Sequence, residues 1–222
     1  MFMKTVRLFI FDLDGTLVDS LEDITASVNF ALQKLGRPLV PIPKVREYVG
    51  DGVEMLLTRA LGDRQEFLDD AKGIYTVHHS RNLVVRTRLY PGVRETLDRF
   101  RLLPMAVVTN KPVVFSEPIL EQLGVRGYFR MIIGADSGLP LKPEPDAFNR
   151  IMAECGVAPQ DTVIVGDGTT DIRGGKAAGA VTCAVTYGFR SEELLRREGP
   201  DYLIPAFSGL TGLFLPAGGN FR

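Results

Sequence analysis

Asp12 and Asp14 stand two residues apart at the end of the apolar run Leu8–Phe11, and Gly15 and Thr16 follow. In an extended segment, residues i and i+2 project to the same side, so both carboxylates leave the strand together. Two such carboxylates repel each other unless a cation or a proton sits between them. Oxygen-only ligands suit Mg²⁺, which takes one or two carboxylates with waters and substrate phosphate. One of the pair can also serve as a nucleophile. A second acidic pair, Asp167 and Asp171, follows the apolar run Thr162–Val165 in the string Gly166-Asp167-Gly168-Thr169-Thr170-Asp171. Thr109 and Asn110 end the run Met105–Val108 and offer a hydroxyl and an amide to a phosphate. Lys142 sits in a stiff turn, Leu141-Lys142-Pro143-Glu144-Pro145-Asp146. The four fixed positions of D-x-D-G-T arise by chance in a chain this long about once in a thousand, at ordinary residue usage.

The elements that must position these groups follow from hydrophobic periodicity. Unbroken apolar runs read as strands buried on both faces of a parallel sheet. They are expected at Leu8–Phe11, Met105–Val108, Met131–Gly134, Thr162–Val165 and Val181–Val185, with a short sixth at Tyr202–Ile204. Helices are expected after Tyr90-Pro91-Gly92-Val93, over 112–123 up to Gly124, over 148–155 up to Gly156, and over 191–197 with Ser191 as N-cap. Between the first strand and the rest, residues 17–86 read as helical throughout. Ser20 is expected to cap a first helix, with Asp23 at capping-box spacing, and Gly36 ends it. A second pattern begins near Lys44 and breaks at Gly50-Asp51-Gly52. A third runs from Arg64 to Arg81, with Phe67, Leu68, Ala71, Tyr75 and Val77 as its inner side. His78 and His79, adjacent on that helix, point apart and are expected at the surface rather than on a metal. The loop Tyr187–Arg190 is given no role, and the Gly-rich tail Pro216–Arg222 is expected to fray.

The four strings, in order and each at a strand end, resemble the four motifs of the haloacid dehalogenase-like hydrolases, and the resemblance covers nearly the whole chain. It implies an α/β fold: a doubly wound, Rossmann-like parallel sheet (1–16 and 87–222) with an inserted helical cap (17–86). It also implies roles. Asp12 is the nucleophile that becomes an aspartyl-phosphate, Asp14 the general acid and base, and Thr109 and Asn110 phosphate ligands. Lys142 neutralises the transferring group, Asp12, Asp167 and the Asp14 carbonyl hold Mg²⁺, and Asp171 supports the site. Gly15 and Thr16 complete the first motif beside the substrate. The cap string VREYVGDGVEMLLTRAL and the T-N-K form of the second motif resemble the phosphoglycolate phosphatase branch, which makes Gly50–Gly52 the candidate substrate loop and 2-phosphoglycolate the expected substrate. Gly168 departs from the serine common in relatives, removing one hydrogen bond near the metal, which Thr169 could replace.

A sugar-phosphate mutase would keep the same core. A dehalogenase lacks the second aspartate of D-x-D, and imine chemistry would need a cap lysine in a recognisable setting, which Lys34, Lys44 and Lys72 do not have. A non-catalytic phosphate-binding protein is disfavoured by the intact Asp12, Asp14, Lys142 and Asp167. With 26 basic and 27 acidic side chains, the chain gives no reason to expect nucleic acid or a membrane surface as partner. Two cysteines, Cys155 and Cys183, without ligand spacing, fit a reducing cytoplasm. The opening run is too short to span a bilayer and meets Arg7 and Asp12, so no signal peptide is expected. A small-molecule phosphate ester is the expected partner, for a monomer or homodimer.

Overall fold

The computed structural model describes residues 3–217. Two strands open the chain: β1 (Lys4–Val6) and β2 (Leu8–Phe11), the second buried at every position. A two-residue strand β3 (Val18–Asp19) precedes the helices α1 (Leu21–Lys34), α2 (Ile42–Tyr48), α3 (Val53–Leu61) and α4 (Leu68–Arg81). β4 (Arg88–Leu89) and α5 (Val93–Arg99) lead into β5 (Met105–Val108), α6 (Val113–Gln122) and β6 (Met131–Ile133). Then come α7 (Asp146–Cys155), β7 (Thr162–Gly166), α8 (Thr169–Ala177), β8 (Val181–Val185), α9 (Glu192–Glu198), β9 (Tyr202–Ile204), α10 (Leu210–Leu213) and β10 (Phe214–Pro216).

Six strands form the central parallel sheet in the order β6-β5-β2-β7-β8-β9. β2 lies at the middle, and its alternating side chains feed both faces. Phe9 and Phe11 point to one side, where their rings lie 5.5 Å apart and meet Phe100 and Phe207. Leu8 and Ile10 join the opposite cluster with Phe148, Ile151 and Ile164. A sheet packed on both sides needs apolar residues at every position of its central strands, which is why these runs show no polar alternation. Successive strands run outward in both directions from β2, and such a switch point opens a crevice at the carboxyl ends of the strands. Asp12, Thr109 and Asp167 directly follow β2, β5 and β7.

The helical cap is inserted between β3 and β4, which pair antiparallel as Val18–Leu89 and Asp19–Arg88, so the chain leaves and re-enters the core side by side. Asp23 does not act in a capping box. Its buried carboxylate accepts from the backbone N–H groups of Val85, Arg86 and Thr87, and from the Thr87 hydroxyl at 2.7 Å. It therefore fastens α1 to the returning chain. Asp23→Ala strands these donors in a buried setting, and each hydrogen bond to a charged group is worth about 1.5–3 kcal/mol. A loss of roughly 3–5 kcal/mol in total is expected, and a melting temperature lower by about 6–20 °C. An unchanged melt would remove Asp23 from the list of cap fasteners.

The inner face of α4 differs from expectation. The buried stripe is Ala71, Tyr75 and His79, spaced i, i+4, whereas Val77 is exposed. His79 is buried, not a surface residue: its ring stacks on Tyr75 and meets Phe115 of α6 edge-on. Its Nδ1 lies 3.0 Å from Ser27 Oγ, which also meets His78 Nδ1 at 3.1 Å. Ser27 in turn donates to the Asp23 carbonyl, so both rings donate to it. Burial pushes His79 down to about 2, which keeps it neutral. The pair thus braces the cap. The tail is also more ordered than expected at its start: Phe214–Pro216 pairs in parallel with Lys4–Val6, and Ala217 N donates to Val6 O. Residues 218–222 of that predicted tail lie outside the described residues.

Candidate active site

Each motif side chain is held by the local consequence of a strand ending. Asp12 leaves β2 after its own N–H donates to Val165 O at 2.9 Å, the last register of the sheet. Gly15 then takes φ 87°, and a Cβ there would lie 2.3 Å from Asp167 Oδ2, so only glycine fits this turn. Thr16, fully buried, donates to Asp167 Oδ1 at 3.0 Å. Phe189 N donates to Asp167 Oδ2 at 2.6 Å. Lys142 is 5% exposed, and its ammonium makes three contacts: Asp12 Oδ1 at 2.8 Å, Asp171 Oδ1 at 2.6 Å and Val108 O at 2.9 Å. Asp171 spends its other oxygen on Gly168 N at 3.0 Å. The backbone N–H of Gly168 thus holds Asp171 where no side chain is present to do so.

Asp12, Asp14, Thr109, Asn110, Lys142 and Asp167 line one cavity, roofed by Gly50, Gly52 and other cap residues. Gly15, Thr16 and Asp171 lie behind this surface, against Asp167 and Lys142. Several side chains have partners that the sequence did not foretell. Ser20 makes no cap bond; it donates to Asp14 Oδ1 at 2.5 Å. Asn110 is turned toward the protein. Its Oδ1 accepts from Lys142 N at 2.9 Å, and its Nδ2 donates to Lys142 O and Gly50 O, which links the lysine turn to the cap loop. Thr109 Oγ1 accepts from Lys111 N at 3.2 Å, leaving its hydroxyl hydrogen to donate.

Two features went unassigned in the sequence. Lys111, third residue of T-N-K, is buried and reaches both Asp14 oxygens at 3.1 and 3.2 Å. A cation directly after a strand-end Thr-Asn, in a site with surplus carboxylates, was the available signal. The loop 187–190 interlocks with the cap. Arg46 of α2 donates to Gly188 O and Phe189 O, while Arg190 donates to Arg46 O, Glu47 O and Val49 O.

Asp12, Asp167 and Asp171 each offer an oxygen within 4.8 Å of the others. Asp14 sends its carboxylate elsewhere, so only its carbonyl remains for a metal. Lys142 alone does not balance three carboxylates. Burial, opposed by Lys142 and reinforced by Asp171 and Asp167, raises Asp12 to about 8. Burial and then Asp171 raise Asp167 to about 6, against the Phe189 N–H and the Thr16 hydroxyl. The cluster therefore lacks positive charge, and its all-oxygen donor set fits a hard divalent cation.

A model of the haloacid dehalogenase-like hydrolase family matches residues 6–179. A phosphoglycolate phosphatase of Pseudomonas aeruginosa is 38% identical over 207 residues, covering 89% of this chain and 76% of that protein. One from Vibrio parahaemolyticus is 36% identical, covering 95% and 96%. The crystal structure of a predicted phosphoglycolate phosphatase from Haemophilus somnus superposes with a TM-score of 0.89 at 31% identity, covering 95% of this chain and 99% of that one. The chain belongs to the haloacid dehalogenase-like hydrolases and is a phosphatase of that family.

Proposed function

We propose that the protein hydrolyses 2-phosphoglycolate in two steps through a phosphorylated Asp12. The observation that carries this reading is the division of labour between two neighbouring carboxylates. Asp12 is gripped by Lys142, and Asp14 is held apart by Ser20 and Lys111, yet both open into one cavity. In the first step an Asp12 oxygen bonds phosphorus, the ester P–O bond breaks, and Asp14 gives its proton to the leaving oxygen. In the second, a water passes a proton to Asp14 and attacks phosphorus; inorganic phosphate leaves and the Asp12 carboxylate is restored. The Lys142 ammonium offsets the charge accumulating on the phosphoryl group, and the Thr109 hydroxyl donates to one of its oxygens. Asn110 keeps Lys142 and the Gly50–Gly52 loop in register, and Asp171 orients Lys142. Thr16 and Gly15 set the position of Asp167. Mg²⁺ held by Asp12, Asp167 and the Asp14 carbonyl would screen phosphate from carboxylate.

Residues 17–86 act as the cap that covers this chemistry and excludes water. The unpaired thiols of Cys155 and Cys183 support a cytoplasmic setting, and no helix among the described residues is long and apolar enough to cross a membrane. The protein works as a monomer or homodimer.

Phosphate release from a panel of small phosphate esters, with Mg²⁺ and with chelator, tests the reading. Metal-dependent release with at least about tenfold preference for 2-phosphoglycolate is expected, a preference well within what one recognised group supplies. Broad, slow release would discard the named substrate; release from no ester would discard the reaction.

A further inference from the structure

Of the two lysines lining the cavity, Lys111 has a donor left to meet an anion. Lys142 directs its three donors at Val108 O, Asp12 and Asp171. Arg190 is engaged with the backbone carbonyls of Arg46, Glu47 and Val49. Lys111 Nζ gives both its contacts to a single carboxylate, that of Asp14. An ammonium has three donors, so one remains. Across the same cavity, Tyr75 of α4 is 2% exposed, and its hydroxyl has no hydrogen-bond partner among the described residues. That hydroxyl faces the cavity and is free to donate to a ligand there.

Position says what that ligand is. Asp14, as acid, must touch the leaving oxygen, so groups bonded to Asp14 flank the leaving group rather than the phosphoryl group. A carboxylate on the carbon next to that oxygen lies within about 4 Å of it, given ordinary bond lengths. We propose that Lys111 and Tyr75 form an anion subsite that binds a carboxylate on the leaving group, one from the core and one from the cap. This rests on the substrate reading above and deepens it by naming what selects the substrate. It also ties selection to the cap: Tyr75 belongs to the cap helix α4, Lys111 to the turn after β5, so the carboxylate bridges the two. A leaving group without a carboxylate would leave the third Lys111 donor and the Tyr75 hydroxyl without their substrate partner, which is how sites built for a polar group reject analogues lacking it.

The test compares 2-phosphoglycolate with 2-hydroxyethyl phosphate, which carries a hydroxymethyl group in place of the carboxylate, in wild type, Lys111→Met and Tyr75→Phe. Losing a hydrogen bond to a charged group amounts to about 10- to 100-fold. The ratio of kcat/KM for the two esters is expected to fall by about that factor in Lys111→Met, and by about tenfold in Tyr75→Phe. A ratio unchanged in Lys111→Met, with both esters slowed together, would overturn the subsite and leave Lys111 acting only through Asp14. Binding to the Asp12→Asn protein, read as the thermal shift each ester produces, separates this from the reaction itself. A larger shift with 2-phosphoglycolate that vanishes on adding Lys111→Met supports the subsite even if wild type turns over neither ester. Equal shifts with both esters would overturn it even if wild type is an active phosphatase.

Discussion

Asp12→Asn is expected to abolish phosphate release, by on the order of 10⁴-fold or more, while leaving the protein folded. An amide oxygen is a poor nucleophile and its phosphoryl adduct is not the intermediate the second step needs. The substitution also reports on the site without turnover. In the metal-free protein Asp12 holds its proton up to about 8, against 3.8 for an ordinary aspartate. Between those values the folded state binds the proton more tightly than the unfolded chain does. Stability therefore falls as pH rises from about 4 to about 8 and levels off above, where Asp12 is ionised in both states. Asparagine removes the Asp12 share of this slope and leaves that of Asp167, which is raised to about 6. Melting curves in chelator should decline across that range for wild type and flatten above about 6 for Asp12→Asn, the remaining slope below that belonging to Asp167. Added Mg²⁺ should raise the wild-type melt most at the upper end, where the carboxylates are ionised. Appreciable turnover by the variant would transfer the nucleophile's role away from Asp12.

Lys142→Met carries the largest combined effect. Lys142 is the one lysine whose ammonium meets both a lining carboxylate, Asp12, and a backing one, Asp171, and it is almost wholly buried. Burial alone would favour its neutral form, but Asp12 and Asp171 outweigh that and drive its pKa upward. Methionine fills the space yet leaves two buried carboxylates facing each other. Breaking a buried pair in this way costs about 3–5 kcal/mol, or roughly 6–20 °C in melting temperature for a domain of this size. Turnover should fall by about 10³-fold, the scale of losing one preorganised group that stabilises developing charge. Mg²⁺ should recover part of the stability, because it replaces the missing charge, but not the rate, because no ammonium beside Asp12 then offsets the charge on the phosphoryl group. Lys142→Arg keeps the charge in the wrong shape; it should restore stability more than activity. Full activity in Lys142→Met would refute the role given to this lysine.

The sequence alone determined the architecture and the location of the chemistry. Apolar runs without alternation could only be strands covered on both faces, and such sheets place their strand ends at one edge. Asp12, Asp14, Thr109 and Asp167 follow those runs, so their convergence was legible before any coordinate, and the glycine-broken helices marked an inserted cap. What the sequence could not reveal was partner choice. Ser20 had the spacing of a helix cap but lies closer to Asp14 than to its own helix amides. Asp23 fitted a capping box but met three backbone N–H groups more than sixty residues away. Asn110 looked like a phosphate ligand and instead ties Lys142 to the cap. Val77 and His79 exchanged inside for outside because α4 is turned by contact with α1 and α6, not by its own weak periodicity. Periodicity along a chain reports which side of an element avoids water. The partner of a hydroxyl, amide or carboxylate depends on what the fold brings within about 3 Å, and that distance is set only when distant segments pack.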